Sequence, residues 1–407
     1  MTAISTALAR FAQRLHGVAG TGHHVASPLG VWLLLALCGR CATGRTRAEL
    51  SEVLGVDVDT AAGVAAALLD DPHALVGSAA ALWHRPAGAG SLSDWLAGLP
   101  DAVRTGDLPS QEQADAWARE HTLGLIERFP LALAPDVLLV LATALATRVS
   151  WEVPFDPVPA GELGPGSAWA GQLGTVLRSP GTYAHEQYIA ATERAGDVAV
   201  HTAQARPAQV AGERHGLAVT SVIADPGVAP ADVLAAAYEL ATGGQAARRS
   251  LFDLPLGDGP MWTLSERPAP TTAPDGREER CTAVLPAWSA TSEHDLDHDG
   301  LGLPAAARAL AAVLGLGDYL YVAKQSAVAR YSRFGFEAAA VSALAVTLGF
   351  QEPREGLLRV ADLRFGHPFA VVAVATRRHP DGHPVPWHGL PVFSAWITEV
   401  EDAGAAE

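Results

Sequence analysis

The sequence predicts an α+β fold in a single domain, residues 1–407, and three observations carry that expectation. Apolar residues recur at helical spacing near the amino terminus and a further helix is read at 230–242, while strand-like runs fall at 76–84, 189–204 and 217–224. No linker-like change of composition divides the chain. A hydrophobic content of 49% beside 18% charged residues is that of a globular chain, long enough to bury an extensive core without disulfide staples.

The first helix is read at residues 4–16, where Ile4, Leu8, Phe11, Ala12 and Leu15 share one face. Ser27 and Pro28 then supply a cap and a first-turn proline for a second helix, apolar nearly all round and hence buried. Gly44 is expected to stop that helix, and Thr46 with Glu49 to form a capping box for the next. Cys38 and Cys41 lie one helical turn apart in the buried helix and read as small core residues. With Cys281 they make three cysteines, too few to be a disulfide framework.

Charge and hydropathy narrow the partners. A formal net charge of −16 argues against a nucleic-acid backbone or an anionic membrane as the main partner. The longest uncharged apolar run, 31–38, is far short of the roughly 20 residues of a membrane helix. The start MTAISTALARFAQRLHG lacks the layout of a secretory signal, so the expectation is a cytoplasmic protein or one exported by a route the sequence does not display.

Enzyme chemistry finds no set of residues to carry it. There is no Gly-x-Ser-x-Gly elbow and no phosphate-cradling glycine loop. Asp295, Asp297, Asp299 and Gly300 imitate the start of a calcium loop, but position 306, where its closing Glu belongs, is Ala. His294 and His298 read as surface residues of that solvated stretch. No catalytic residue, cofactor or metal is expected.

The stretch 335–350, GFEAAAVSALAVTLGF, fits two conformations. Its small residues suit a helix, yet Phe336, Ala338, Ala340, Ser342, Leu344, Val346 and Leu348 make one mostly apolar face of a strand. Gly335 precedes it and the Pro- and charge-rich 351–356 follows, which marks a punctuated segment rather than a settled helix.

Several motifs in order resemble the serpin family: Ser27-Pro28-Leu29 with its buried helix and the stretch 42–55; Trp117, Thr122 and Gly124; the strand running to Trp151, Pro154 and Phe155; Leu285-Pro286 with Ser292-Glu293 and Asp295-Leu296; and His367-Pro368-Phe369 followed by the terminal stretch 392–400. The resemblance spans roughly residues 4–400 and is poorest over 158–280. It implies a large, mainly antiparallel sheet with two smaller ones, about eight helices, and an exposed reactive-centre loop at about 335–360, in a monomer. It further implies a suicide inhibitor of serine and, in some members, cysteine proteases. The protease attacks the loop and forms an acyl-enzyme, and the cleaved loop enters the large sheet as a new strand before deacylation. The alternative is a serpin-fold protein that is cut as a substrate or serves as a binding module.

On this resemblance Gly335, Phe336, Glu337, Ala338, Ala339 and Ala340 are the hinge. Phe336 stands where inhibitory members usually carry a small hydroxyl residue, so its ring is expected to obstruct the first step of insertion, at about 1–3 kcal/mol for overpacking. Ser27, Thr143 and Gln325 align with the region where the sheet opens. Thr143 and Gln325 replace a usual Asn and His and are expected to be able to share a hydrogen bond, either as a retuned opening or as satisfied core polar residues. Counting forward from Gly335 puts the scissile bond near Gly349-Phe350, and counting back from His367 puts it near Leu357. Leu348 or Phe350 as bait selects chymotrypsin- or elastase-like proteases, and Arg354 a trypsin-like one.

Overall fold

A computed structural model describes residues 3–85, 91–244, 247–336, 354–381, 383 and 385–404. The first helical pattern becomes α1 (Ala3–Ala19), with Leu8, Phe11, Ala12 and Leu15 fully buried. After the short strand β1 (His24–Ala26), the Ser27 side chain accepts from the Gly30 amide and Pro28 opens α2 (Pro28–Gly39), buried nearly all round. Cys38 and Cys41 carry free thiols, and burial pushes the Cys41 thiol up to about 12 and Cys38 well above its usual range.

The next start differs from expectation. Gly44, at φ 52°, begins α3 (Gly44–Leu54) instead of ending α2, and Thr46 caps nothing. A left-handed glycine turns the chain early, which places Glu49 inside the helix, where it pairs with Arg45 and Arg308.

The chain continues through α4 (Val58–Asp70), β2 (Gly77–His84), α5 (Ser91–Ala97), β3 (Val103–Asp107) and α6 (Gln111–His121). This last helix starts ahead of the stretch 115–126, which holds Trp117, Thr122 and Gly124, because Ser110 and Gln113 form a capping box. Then come β4 (Leu139–Ala146), β5 (Val149–Ser150), β6 (Asp156–Pro159) and β7 (Thr175–Arg178). The apolar run 189–204 is a hairpin of β8 (His185–Thr192) and β9 (Gly196–Gln204). Next are β10 (Ala208–Val210), β11 (Glu213–Ile223), α7 (Pro230–Ala241), β12 (Ala247–Arg248), β13 (Gly257–Asp258), β14 (Trp262–Thr271) and β15 (Arg277–Leu285). β16 (Trp288–Asp295), α8 (Leu303–Leu314), β17 (Lys324–Tyr331), β18 (Gly335–Phe336), β19 (Arg354–Arg364), β20 (Phe369–Arg378) and β21 (Leu390–Ile397) complete it.

The described residues thus hold eight α-helices and a large antiparallel sheet in the order β1-β21-β20-β11-β9-β8-β12, with β10 on β11. The mixed α+β class is as the sequence predicts. A second sheet runs β13-β14-β19-β15-β7-β6, and two smaller ones run β16-β17-β18-β5 and β3-β2-β4. α7 covers one face of the large sheet through Val233, Leu234 and Ala237, and α6 covers β2 and β4 through Ala114, Trp117 and Ala118, with Phe129 from the stretch after it. Among the described residues no helix is long and apolar enough to cross a membrane.

One surface expectation is corrected. Alternation along β16 turns Trp288, Ala290, Ser292 and His294 inward, so His294 is buried and its Nε2 donates to the Val25 carbonyl at 2.7 Å. His298 and the three aspartates of that stretch stay exposed.

Candidate functional site

The two smaller sheets meet at a cleft. β4 pairs with β2 on its far side and β17 with β16 on its own, and among the described residues β4 and β17 do not pair with each other. A cavity of about 90 Å³ lies between them, lined from β4 by Thr143 and Leu145 and from β17 by Gln325 and Ala327. Alternation along β4 sets its two faces. Val140, Ala142 and Ala144 pack under α6, whereas Leu139, Leu141 and Leu145 join the main core with α2. A strand edge with unmade ladder bonds faces the cleft from each side, which is the requirement for accepting another strand.

The polar residues picked out from the sequence lie on this cleft, in a different arrangement from the one expected. Gln325 makes a reciprocal pair with the Ser27 backbone: its Oε1 accepts from the Ser27 amide at 3.0 Å and its Nε2 donates to the Ser27 carbonyl at 2.8 Å. Ser27 Oγ donates to the Val392 carbonyl at 2.9 Å. Thr143 Oγ1 donates to the Gly30 carbonyl at 2.7 Å. Thr143 and Gln325 therefore do not share the hydrogen bond expected of them. Each lip of the cleft is tied separately to the first turn of α2, because the cleft holds the strands apart.

The segment that the resemblance implies as a hinge begins just after β17. The chain turns at 332–334 and returns as β18, where Phe336 pairs with Tyr331 on one side and with Val149 of β5 on the other, and Gly335 pairs with Ser150. The turn is held from the β5 side as well. The Trp151 amide donates to the Phe334 carbonyl at 2.9 Å, Trp151 Nε1 to the Ser332 carbonyl at 2.9 Å, and the Phe155 amide to the Arg333 carbonyl at 3.0 Å.

Phe336 is only 3% exposed and meets Trp288 edge-on at 6.2 Å between ring centroids. Trp288 in turn stacks on Tyr331 at 5.9 Å, and Tyr331 lies 4.9 Å from Trp151. The expectation that the Phe336 ring has still to be buried is thus corrected: the ring is already seated against Trp288. Sequence reasoning missed this aromatic seat. Its only signal was the pair of tryptophans Trp151, just after β5, and Trp288, at the start of β16, and neither announces Phe336 as its neighbour.

Of the remaining hinge residues, Glu337, Ala338, Ala339 and Ala340 lie outside the described residues, as do the candidate bait residues Leu348, Gly349 and Phe350. Arg354 opens β19 opposite Thr271. Leu357 lies inside β19, paired with Pro268 and Arg277 on its two sides, and its amide donates to the Gly276 carbonyl at 2.9 Å. A second cavity, of about 190 Å³, sits between α1 and α7, bordered by Arg10, Gln13, Arg194 and Tyr238. Nothing in the residue pattern pointed to it.

This architecture is the serpin fold. The chain is similar to Serpin48 of the insect Tenebrio molitor, at 14% identity over 98% of each chain and a TM-score of 0.60. It is likewise similar to the thermophilic serpin Tengpin in its native state, at 13% identity over 98% of this chain and 94% of that one, with a TM-score of 0.61. Thyroxine-binding globulin in complex with thyroxine also matches, at 15% identity over 97% of this chain and 99% of that one, with a TM-score of 0.56. No protein-family model matches the chain, and no curated protein matches it in sequence. At such identities the likeness carries the fold and leaves activity to be argued from the site.

Proposed function

We propose that the protein is a suicide inhibitor of serine proteases that traps its target by loop insertion and has no catalytic turnover of its own. The observation that carries this reading is the position of β18, which pairs with β17 on one side and on the other with β5, just beyond the end of β4, at one end of a cleft that holds no strand among the described residues. On this reading β18 is the first rung of the strand that would fill the cleft, and that strand would join the two smaller sheets rather than enter the eight-stranded one expected to receive it.

Extending the register of β18 makes the reading specific. From the pair Phe336 and Tyr331, continuation along β17 sets Ala338 against Ala329, Ala340 against Ala327 and Ser342 against Gln325. From Phe336 and Val149, continuation along the other lip sets Ala340 against Leu145 and Ser342 against Thr143. The two counts agree in face, since Ala327, Ala329 and Leu145 all belong to the main core. They also agree in position: Ser342 arrives between Thr143 and Gln325, where a small hydroxyl can bond to either. About a dozen ladder bonds at about 1 kcal/mol each, with the apolar area that accompanies them, would release on the order of 10 kcal/mol.

Attack by a protease serine on the scissile carbonyl breaks the peptide bond and leaves the amino-terminal part of the loop esterified to the enzyme. Insertion then carries that ester away from the cleft mouth before water can hydrolyse it. Cleavage near Leu348 to Phe350 suits this better than cleavage at Leu357, whose backbone is committed to β19. Incubation with chymotrypsin, elastase, subtilisin and trypsin in turn, followed by a denaturing gel, tests the reading. A conjugate that survives denaturation with at least one of them is expected, and its absence with all four contradicts the proposal.

A second reading, a serpin-fold binding protein, is favoured by the cavity between α1 and α7 and by the similarity to a thyroxine-binding globulin. Under it, thyroxine raises the melting temperature of the protein, and Arg10→Ala abolishes the rise. An unchanged melting temperature removes thyroxine as the ligand.

A further inference from the structure

Beneath the hinge turn lies a histidine pair that loop insertion does not use. His185 opens β8, His201 lies in β9, and both rings are buried. His185 Nε2 is 2.7 Å from the Val153 carbonyl, and His185 Nδ1 is 3.2 Å from His201 Nε2. A carbonyl only accepts, so His185 carries its proton on Nε2 and accepts at Nδ1. His201 must then donate from Nε2, which leaves its Nδ1 a buried acceptor with no hydrogen-bond partner. The geometry suits two neutral rings and no extra proton. A proton on His201 Nδ1 has no acceptor, and a proton on His185 Nδ1 opposes the N–H of His201.

The pair supports the hinge through one residue. The Phe155 ring lies 4.6 Å from His185 and 5.4 Å from His201, and 5.6 Å from Tyr331 at the end of β17. The Phe155 amide donates to the Arg333 carbonyl at 3.0 Å, and its carbonyl accepts from Arg333 Nε at 3.3 Å. Phe155 therefore rests on the histidines with its ring and holds the turn with its backbone.

We propose that His185 and His201 form a pH-sensitive support of the hinge, in which protonation of the pair displaces Phe155 and releases the Ser332–Phe336 turn from β5. The regulatory meaning rests on reading that turn as the hinge of an inserting loop. The charged and titratable groups that face the pair are few. Asp156, next to Phe155, favours protonated His185 and His185 disfavours protonated His201. The Arg333 cation sits on the turn itself, and burial keeps the Tyr331 phenol neutral. Burial lowers both histidines below their ordinary 6.5, against the pull of Asp156 on His185. The closed turn thus binds fewer protons than the released one, so release is disfavoured above 6.5 and gains as pH falls below it. At pH 5.5 one such group shifts the release equilibrium by about tenfold, and two by up to about a hundredfold.

Hydrogen exchange on the intact protein, read by mass spectrometry at the amides of 332–336 and corrected for intrinsic rates, tests this. Between pH 7.5 and 5.5 the wild-type turn is expected to open about tenfold or more, while His201→Phe and His185→Gln, the latter keeping a donor for the Val153 carbonyl, each lose the share of the ring removed and respond less than the wild type. A flat wild type, or variants that respond as the wild type does, overturns the proposal. Should His201→Phe not fold, His185→Gln decides alone. His16→Phe removes a buried histidine elsewhere and is expected to leave the response intact; its loss there would assign the effect to the whole fold and also overturn the proposal. Exchange is read without a protease. A turn that opens with acid in a protein that traps nothing sinks the inhibitory reading alone, and a flat turn in a protein that traps sinks this proposal alone.

Discussion

At the scale of single residues, Phe336 and Gln325 bear most on the mechanism. Because the Phe336 ring is seated against Trp288 before any cleavage, Phe336→Thr is expected to lower the melting temperature, as a large-to-small change at a buried site costs about 3 kcal/mol. It is not expected to improve trapping; a lower stoichiometry of inhibition in that variant would show that the ring obstructs insertion after all. Gln325→Leu strands the Ser27 amide and leaves the Ser27 carbonyl only the Val31 amide at 3.5 Å, and a buried unsatisfied group costs about 1–3 kcal/mol. Denaturant titration is expected to find the variant less stable by that order, and equal stability would mean that water replaces the side chain. The sequence could name these residues and the family resemblance could align them. Their partners were hidden, because Gln325 reaches a backbone almost three hundred residues earlier in the chain, and no local pattern encodes that pairing.

At the scale of elements, what periodicity could deliver it delivered. The buried α2 with its Ser27 and Pro28 start and the strand β2 formed as expected from the residue pattern, and β20 and β21 as the family resemblance implied. Boundaries failed where chemistry outside the apolar pattern decided: Ser110 and Gln113 started α6 early, and Gly44 started α3. The hairpin of β8 and β9 read as one run although the polar stretch 192–197, TERAGD, marks the turn between them. The cleft between β4 and β17 was beyond reach, since it depends on two strands failing to pair. Its register now yields a face test. On the proposed inhibitory reading, Ala340→Glu would set a carboxylate against Ala327 and Leu145, so it is expected to be cut as a substrate, with the stoichiometry of inhibition rising about tenfold, the result of a barrier higher by about 1.4 kcal/mol. Ala339→Glu, one residue away and on the opposite face, is expected to trap nearly as the wild type does. Equal behaviour of the two variants would refute the register.

At the scale of the whole molecule, buried neutral histidines set the acid limit of stability. His16 accepts at Nε2 from Ser394 and meets His24 at 2.7 Å, and burial lowers it to about 3; burial lowers His73 to about 4. Their native values lie below the ordinary 6.5, so the unfolded chain takes up protons first. Stability is full above that value, falls as pH drops below it by up to about 1.4 kcal/mol per pH unit for each group, and levels once the native values are passed. Urea unfolding at pH 7.5 and 5.0 is expected to show a loss of several kcal/mol, and equal midpoints would mean that these rings are hydrated. The central claim is that the cleft exists to receive the loop. It is tested most directly by the melting temperature before and after a single proteolytic cut between residues 348 and 350. Insertion worth on the order of 10 kcal/mol, at about 2 °C per kcal/mol for a large chain, is expected to raise it by roughly 20 °C; an unchanged or lower value in the cleaved protein would contradict the account.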